Sequence, residues 1–175
     1  MTVTYTAHDS SDATPLIGDL GRLYAVVYAE PPYNEGLADT IRFMDGLYTE
    51  IERPGFTLIT ATDQGELVGA AYGWTMPAGK WWSRADTDPP AEVLTADKLA
   101  IMEWLVAPNR RGEGIGAELM RRLLTGRAER YATLASNPKA PARRMYARAG
   151  WRQVGKSHMP DGTPMDLLLL ALPVR

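Results

Sequence analysis

Pro108-Asn109-Arg110-Arg111-Gly112-Glu113-Gly114-Ile115-Gly116 is the stretch whose chemistry decides how this chain is read. An apolar run at 99–106 precedes it and reads as a strand. Ile115, Leu119 and Leu123 fall on one face of a helix that follows over 116–126. Glycines at three alternate positions clear side chains from the backbone just before that helix begins. Exposed N–H groups and the positive helix end then make a concave anion site. Arg110 and Arg111 add charge at its rim, and the guanidinium fork suits phosphate oxygens. Three other readings compete. A dinucleotide fingerprint needs G-x-G-x-x-G, but the spacing here is G-x-G-x-G. A P-loop needs Gly-Lys-Ser/Thr, which is missing. A plain turn into a helix needs only one glycine.

Nearer the N-terminus, 3–7 reads as a first strand, and Thr14-Pro15 offers an N-cap with proline at the first helical position. Leu16, Leu20, Leu23, Tyr24 and Val27 then recur at helical spacing until Pro31-Pro32. Leu37, Ile41, Met44, Tyr48 and Ile51 mark a second amphipathic helix. Runs at 56–61 and 67–74 are β-rich and joined by the turn residues at 63–66. Residues 75–97 are irregular and are expected to form a long loop or lid. A strand at 131–135, a short helix at 141–149 and strands at 151–155 and 165–172 complete the chain. The order β-α-α-β-β-β-α-β-α-β-β predicts an α/β fold with a mixed sheet and helices on both faces.

The 175 residues suffice for one domain over 1–175 that folds without disulfides or structural metal. Cys is 0, which excludes thiolate nucleophiles and cysteine metal sites and suits a reducing compartment. Only His8 and His158 are histidines, so no metal is expected and a Ser-His-Asp triad is poorly supplied. The start MTVTYTAHDS has neither a basic nor an apolar leader region, and no run is long enough to span a bilayer. A soluble cytoplasmic protein without a membrane partner is therefore expected. The net charge of −2 conceals a division. Between Pro108 and Arg148 there are ten basic residues against three acidic, and elsewhere nine against eighteen. This suggests an anionic ligand on one part and a cationic one on the other, against the plainer reading of solvated helix faces. Nucleic-acid binding by the arginine-rich segment is disfavoured by the acidic total and by the few aromatics between the arginines.

The sequence resembles the GNAT acetyltransferases, whose motif Arg/Gln-x-x-Gly-x-Gly/Ala is matched by Arg111, Gly114 and Gly116. Leu105-Val106-Ala107-Pro108 is similar to the family's strand ending. The resemblance runs from about 99 to 154, and the GNAT-like element order of the whole chain agrees with it. Tyr28-Ala29-Glu30-Pro31-Pro32-Tyr33 and Trp81-Trp82 are similar to actinobacterial members. The resemblance implies acetyl-CoA as cosubstrate and a cofactor core over 98–155. The loop residues Arg110, Arg111, Gly112, Gly114, Ile115 and Gly116 would hold the pyrophosphate. The backbone of Leu105 and Val106 would hold the pantetheine arm. Ala142-x-x-x-Tyr146 followed by Gly150-Trp151 matches the helix whose tyrosine faces the thioester sulfur. Where the family often has asparagine before the alanine, Lys139 stands here, with Asn137 slightly earlier as the candidate cofactor contact. Homodimers are frequent in the family, so a homodimer is a candidate assembly.

Moving an acetyl group from a thioester to an amine requires an unprotonated nucleophile and a neutralised thiolate. Deprotonating a lysine-like amine at pH 7 costs about 4.6 kcal/mol, an α-amine only about 1 kcal/mol. Tyr146 can give a proton to sulfur because a phenol stays protonated at neutral pH; the alternative is a core aromatic. For the base the candidate is Glu103, the acid inside an apolar strand. Alternation puts it on the face of Leu105, opposite Trp104 and Val106. A structural carboxylate paired with Lys98 or an arginine is the alternative, and a water chain could replace a direct base. Nine acids between Asp9 and Glu52, with Asp86, Asp88, Trp81 and Trp82 in the lid, suit a cationic amine. Tyr28, Tyr33, Trp81 and Trp82 are the candidate substrate contacts. The expected activity is N-acetyl transfer to a primary amine of a small molecule, amino acid or peptide. The alternative is a non-catalytic acyl-CoA-binding or sensing module.

Overall fold

The structure, a computed structural model, describes residues 2–173. Its elements run β1 (Thr4–His8), α1 (Ile17–Tyr28), α2 (Leu37–Ile51), β2 (Thr57–Asp63), β3 (Glu66–Met76), α3 (Ala91–Leu94), β4 (Lys98–Val106), α4 (Ile115–Leu124), β5 (Tyr131–Ser136), α5 (Arg143–Arg148), β6 (Arg152–His158) and β7 (Pro164–Ala171). The seven strands form a mixed sheet in the order β1-β2-β3-β4-β5-β7-β6. The predicted order of elements holds, with α3 added inside the stretch expected to be irregular. By internal contacts the chain groups into two compact units, residues 2–74 with 102–125 and residues 75–101 with 126–173.

In the first unit, Ile17, Leu20, Leu23, Tyr24 and Val27 of α1 and Leu47 and Ile51 of α2 are buried against Leu58, Ala70, Tyr72 and Leu105. Each buried aliphatic side chain contributes about 2 kcal/mol. Strand period two turns Gly69 to the opposite face from Ala70 and Tyr72. There α4 lies so close that a Cβ on Gly69 would come within 3.0 Å of the Ile115 and Leu119 side chains. Helices thus cover both faces of these strands.

The start of α1 differs from expectation. Thr14 is not an N-cap: Ala13 is already helical, fully buried and bonded through its N–H to the Asp9 carbonyl. A cap residue must be extended for its side chain to reach back, so Thr14 falls inside a short 3-10 turn, Thr14–Leu16, instead. At α2 the Gly36 N–H donates to the Asp39 carboxylate at 3.0 Å, satisfying one donor at the helix start.

In the second unit β5 pairs antiparallel with β7 from Tyr131↔Ala171 to Ser136↔Asp166, and β7 with β6. The parallel ladder from β4 to β5 joins Lys98↔Tyr131, Leu99↔Ala132 and Ala100↔Thr133. Residues 77–97 are strapped down along their length. Gly79 N–H bonds the Leu94 carbonyl at 2.7 Å, and Ala78 N–H bonds Asp97 at 2.9 Å. Asp86 N–H meets the Lys156 carbonyl at 2.9 Å, and Ser157 Oγ donates to the Arg84 carbonyl at 3.0 Å. The first of these two bonds occupies a backbone carbonyl of β6, a terminal strand whose open ladder groups would otherwise invite pairing. Lys98 is 0% exposed, and its ammonium donates to the carbonyls of Ala96, Val93, Leu94 and Pro77 at 2.7–3.5 Å. Its cation is therefore committed to closing the strap, which removes it as the partner considered for Glu103. Among the described residues no helix is long and apolar enough to cross a membrane.

Candidate active site

Alternation along β4 sorts its side chains as the sequence predicts. Leu105, 1% exposed, joins the core under α1 and α2. Trp104 faces α4, where its indole N–H donates to the Gly116 carbonyl at 2.9 Å. On the face of Leu105, the Glu103 carboxylate accepts the Tyr28 hydroxyl at 2.6 Å through Oε2. Tyr28 is the last residue of α1, with its ring between Tyr24 at 4.4 Å and Tyr33 at 4.7 Å, centroid to centroid. Tyr24 stacks in turn on Phe43 and gives its hydroxyl to Glu35.

Burial is the main influence on Glu103 and pushes its carboxyl up to about 8; the Tyr28 hydrogen bond pulls the other way, and the Glu50 and Glu35 charges add to the rise. Burial likewise raises Glu50, which bonds to Tyr72 and has Arg53 nearby. The phenols of Tyr28 and Tyr72 are raised well above the ordinary range, chiefly by burial and then by the Glu103 charge. The group is thus acid-rich, aromatic and reluctant to ionise, and burial keeps the Glu103 carboxyl protonated up to about pH 8.

The glycine loop lies in the same unit. Gly112 and Gly114 take φ of +83° and +82°, and a Cβ on either would meet nothing within 4 Å. Their glycines therefore answer a backbone conformation that other residues resist. Gly116 differs. A Cβ there would sit 3.4 Å from Trp104 and Val106, so its bareness serves the packing of α4 on β4. Ile115 is buried beside Leu119. The first bond of the helix runs from Glu118 N–H to the Gly114 carbonyl. The N–H groups of Ile115, Gly116 and Ala117 therefore precede the intrahelical ladder. Arg110 is already held by Glu113 and, at 2.9 Å, by the buried Asp63 at the end of β2. Arg111 pairs with Glu30 at 2.7 Å. Both anchors, Asp63 and Glu30, escape a reading of the loop alone, because they lie far from it in sequence.

The second unit carries the remaining candidates. Tyr146 lies on α5, 9% exposed, edge-on to Trp151 at 6.1 Å. Its helix is fixed by Arg143, which donates to Asp166 at 2.9 Å, while Gln153 bonds the other oxygen of the same carboxylate at 3.0 Å. Asn137 uses its side-chain oxygen to accept the Lys139 N–H at 2.9 Å and its carbonyl to accept Ala140 N–H, so it shapes the turn before α5. Trp82 donates its indole N–H to Thr133 Oγ1 at 3.1 Å, and Trp81 is half-buried beside it in sequence. Among the described residues there is no group of three or more His, Cys, Asp or Glu placed to hold a metal.

The sequence model of the Acetyltransferase (GNAT) family matches residues 20–151. The chain belongs to this family. A GCN5-like protein acetyltransferase of Mycobacterium tuberculosis is 28% identical over 118 residues. That match takes in 59% of this chain and 57% of the relative, so the chain spans little more than half the length of that protein. Solved GNAT-fold neighbours match throughout. PH1933 of Pyrococcus horikoshii superposes with a TM-score of 0.69 at 17% identity, over 98% of this chain and 99% of its own. Arabidopsis thaliana NAA60, solved with a bisubstrate analogue, gives 0.68 at 15% identity, over 99% and 100%. For a GNAT chain the implied cosubstrate is acetyl-CoA, and the loop fits its diphosphate: two left-handed glycines open onto free space beside the first-turn amides that precede the ladder of a ten-residue helix.

Proposed function

We propose that this GNAT chain transfers an acetyl group from acetyl-CoA directly to a primary amine of a small molecule, amino acid or peptide. Support comes chiefly from Glu103, a carboxylate set in an apolar strand, held by a phenol and poised near neutral pH. In this reading Glu103 removes a proton from the acceptor ammonium. The amine nitrogen attacks the thioester carbonyl, the C–S bond breaks, Tyr146 supplies a proton to the departing sulfur, and the second proton lost by the nitrogen passes through solvent to the Tyr146 phenolate. The amides of 112–117 bind the diphosphate, and the backbone of Leu105 and Val106 holds the pantetheine arm. Tyr33, Glu35 and Glu50 give the acceptor side its cation-favouring character.

Because the M. tuberculosis relative is named a protein acetyltransferase, a lysine side chain belongs on the acceptor panel with α-amines and small diamines. Free-thiol release from acetyl-CoA across that panel, with intact-mass detection of the product, tests the reading. Turnover lost in Glu103→Gln and reduced in Tyr146→Phe, with coenzyme A affinity kept, supports it. Tight coenzyme A binding with no turnover on any amine would favour a sensing module instead.

A further inference from the structure

We propose that Tyr28 is the positioning residue for Glu103: its hydroxyl fixes Oε2 and leaves Oε1 as the oxygen presented to the acceptor amine. The inference rests on the reading of Glu103 as the base. The hydroxyl donates at 2.6 Å from a ring that cannot swing freely, wedged between Tyr24 and Tyr33. The backbone behind it is fixed too, because the Tyr28 carbonyl accepts the Glu35 N–H at 2.8 Å. A phenol raised well above its ordinary range stays a donor throughout the working pH, so whenever Glu103 is ionised the tyrosine gives and the carboxylate receives.

The surroundings make that one bond decisive. Tyr24 and Tyr28 approach from α1, Tyr33 and Glu35 from the turn after it, Glu50 from α2 and Tyr72 from β3. Glu35 and Glu50 both oppose ionisation of Glu103, as burial does, and Tyr28 is the influence that favours it. Without the hydroxyl, every remaining push on the carboxylate is upward. The same short run, 28–33, also sends Glu30 to Arg111 at 2.7 Å. The Tyr-Ala-Glu-Pro-Pro-Tyr segment therefore bears at once on the base and on the rim of the glycine loop.

Tyr28→Phe tests this, because it keeps the ring contacts and removes only the donor. The rise of kcat/KM with pH, followed for one amine in both proteins, should move up by about one pH unit. Turnover at pH 7 should fall about tenfold, with coenzyme A affinity by calorimetry unchanged. In a Glu103→Gln background the same change should add nothing further. As a second probe, 3-fluorotyrosine at position 28, a stronger donor, should move the profile down. An unmoved profile in both substitutions, with Glu103→Gln inactive, overturns the positioning role while the base stands. A fully active Glu103→Gln overturns the base reading itself.

Discussion

The indole N–H of Trp82 donates to the hydroxyl of Thr133 at 3.1 Å, and that hydroxyl in turn donates to the Leu168 carbonyl at 2.9 Å. A residue from the expected lid is thereby tied into the strand pair β5–β7, where Thr133 is wholly buried. Trp82→Phe keeps most of the packing but leaves the Thr133 oxygen short of a donor. The expected loss is about 1 kcal/mol, lowering Tm by about 2–4 °C. Turnover per folded molecule should stay near wild type. A raised KM for the amine with unchanged Tm would instead make Trp82 a substrate contact.

Lys98→Met should cost more. Four carbonyls lose a buried cationic donor with nothing to replace it, and the closure of 77–97 depends on them. About 3 kcal/mol is expected by denaturant titration. Amide exchange should accelerate first in 77–97, because that is where the lost bonds ended.

The two kinds of glycine in the loop should separate by assay. Gly114→Ala forces a side chain into a left-handed conformation worth about 1–2 kcal/mol, and should weaken coenzyme A binding about tenfold. Gly116→Val instead drives methyl groups at Trp104 and Val106. It should show as a lower Tm, with about 1–3 kcal/mol lost to overpacking.

Glu103 should also leave a mark on stability. Its carboxyl ionises near 8 in the fold but near 4.5 when unfolded, so the native state holds the extra proton between those values. Stability from this group is full below the lower value and is lost as pH rises through the upper one. Glu103→Gln should therefore be the more stable protein at pH 9, by about 5 kcal/mol at most, with the gap closing toward pH 4. Parallel urea titrations across that range check the sign. A Glu103→Gln protein no more stable than wild type at pH 9 would mean the carboxyl is not held out of water as described.

Much of the fold could be read from local pattern. Period 3.6 marks α1, α2 and α4, period two sorts Glu103 and Leu105 from Trp104 and Val106, and the glycine loop announces its turn. These are constraints between residues a few positions apart, which backbone geometry alone imposes. Short elements were less legible. The four residues of α3 have too little length for a periodicity, and the start of α1 depended on a buried Ala13 that its own sequence does not mark.

Local pattern along the chain is enough to identify the family, the strand–loop–helix ahead of residue 115, and the acid set into β4. What each charged or polar group is spent on is fixed instead by contacts made across the folded chain. Arg110 goes to Asp63, Arg111 to Glu30, Lys98 to backbone carbonyls, Trp82 to Thr133, and Tyr28 to Glu103. Such pairings join residues remote in the chain. Hydrogen bonds and ion pairs act over a few ångströms in space, whereas spacing in sequence reports only on neighbours along one helix or strand.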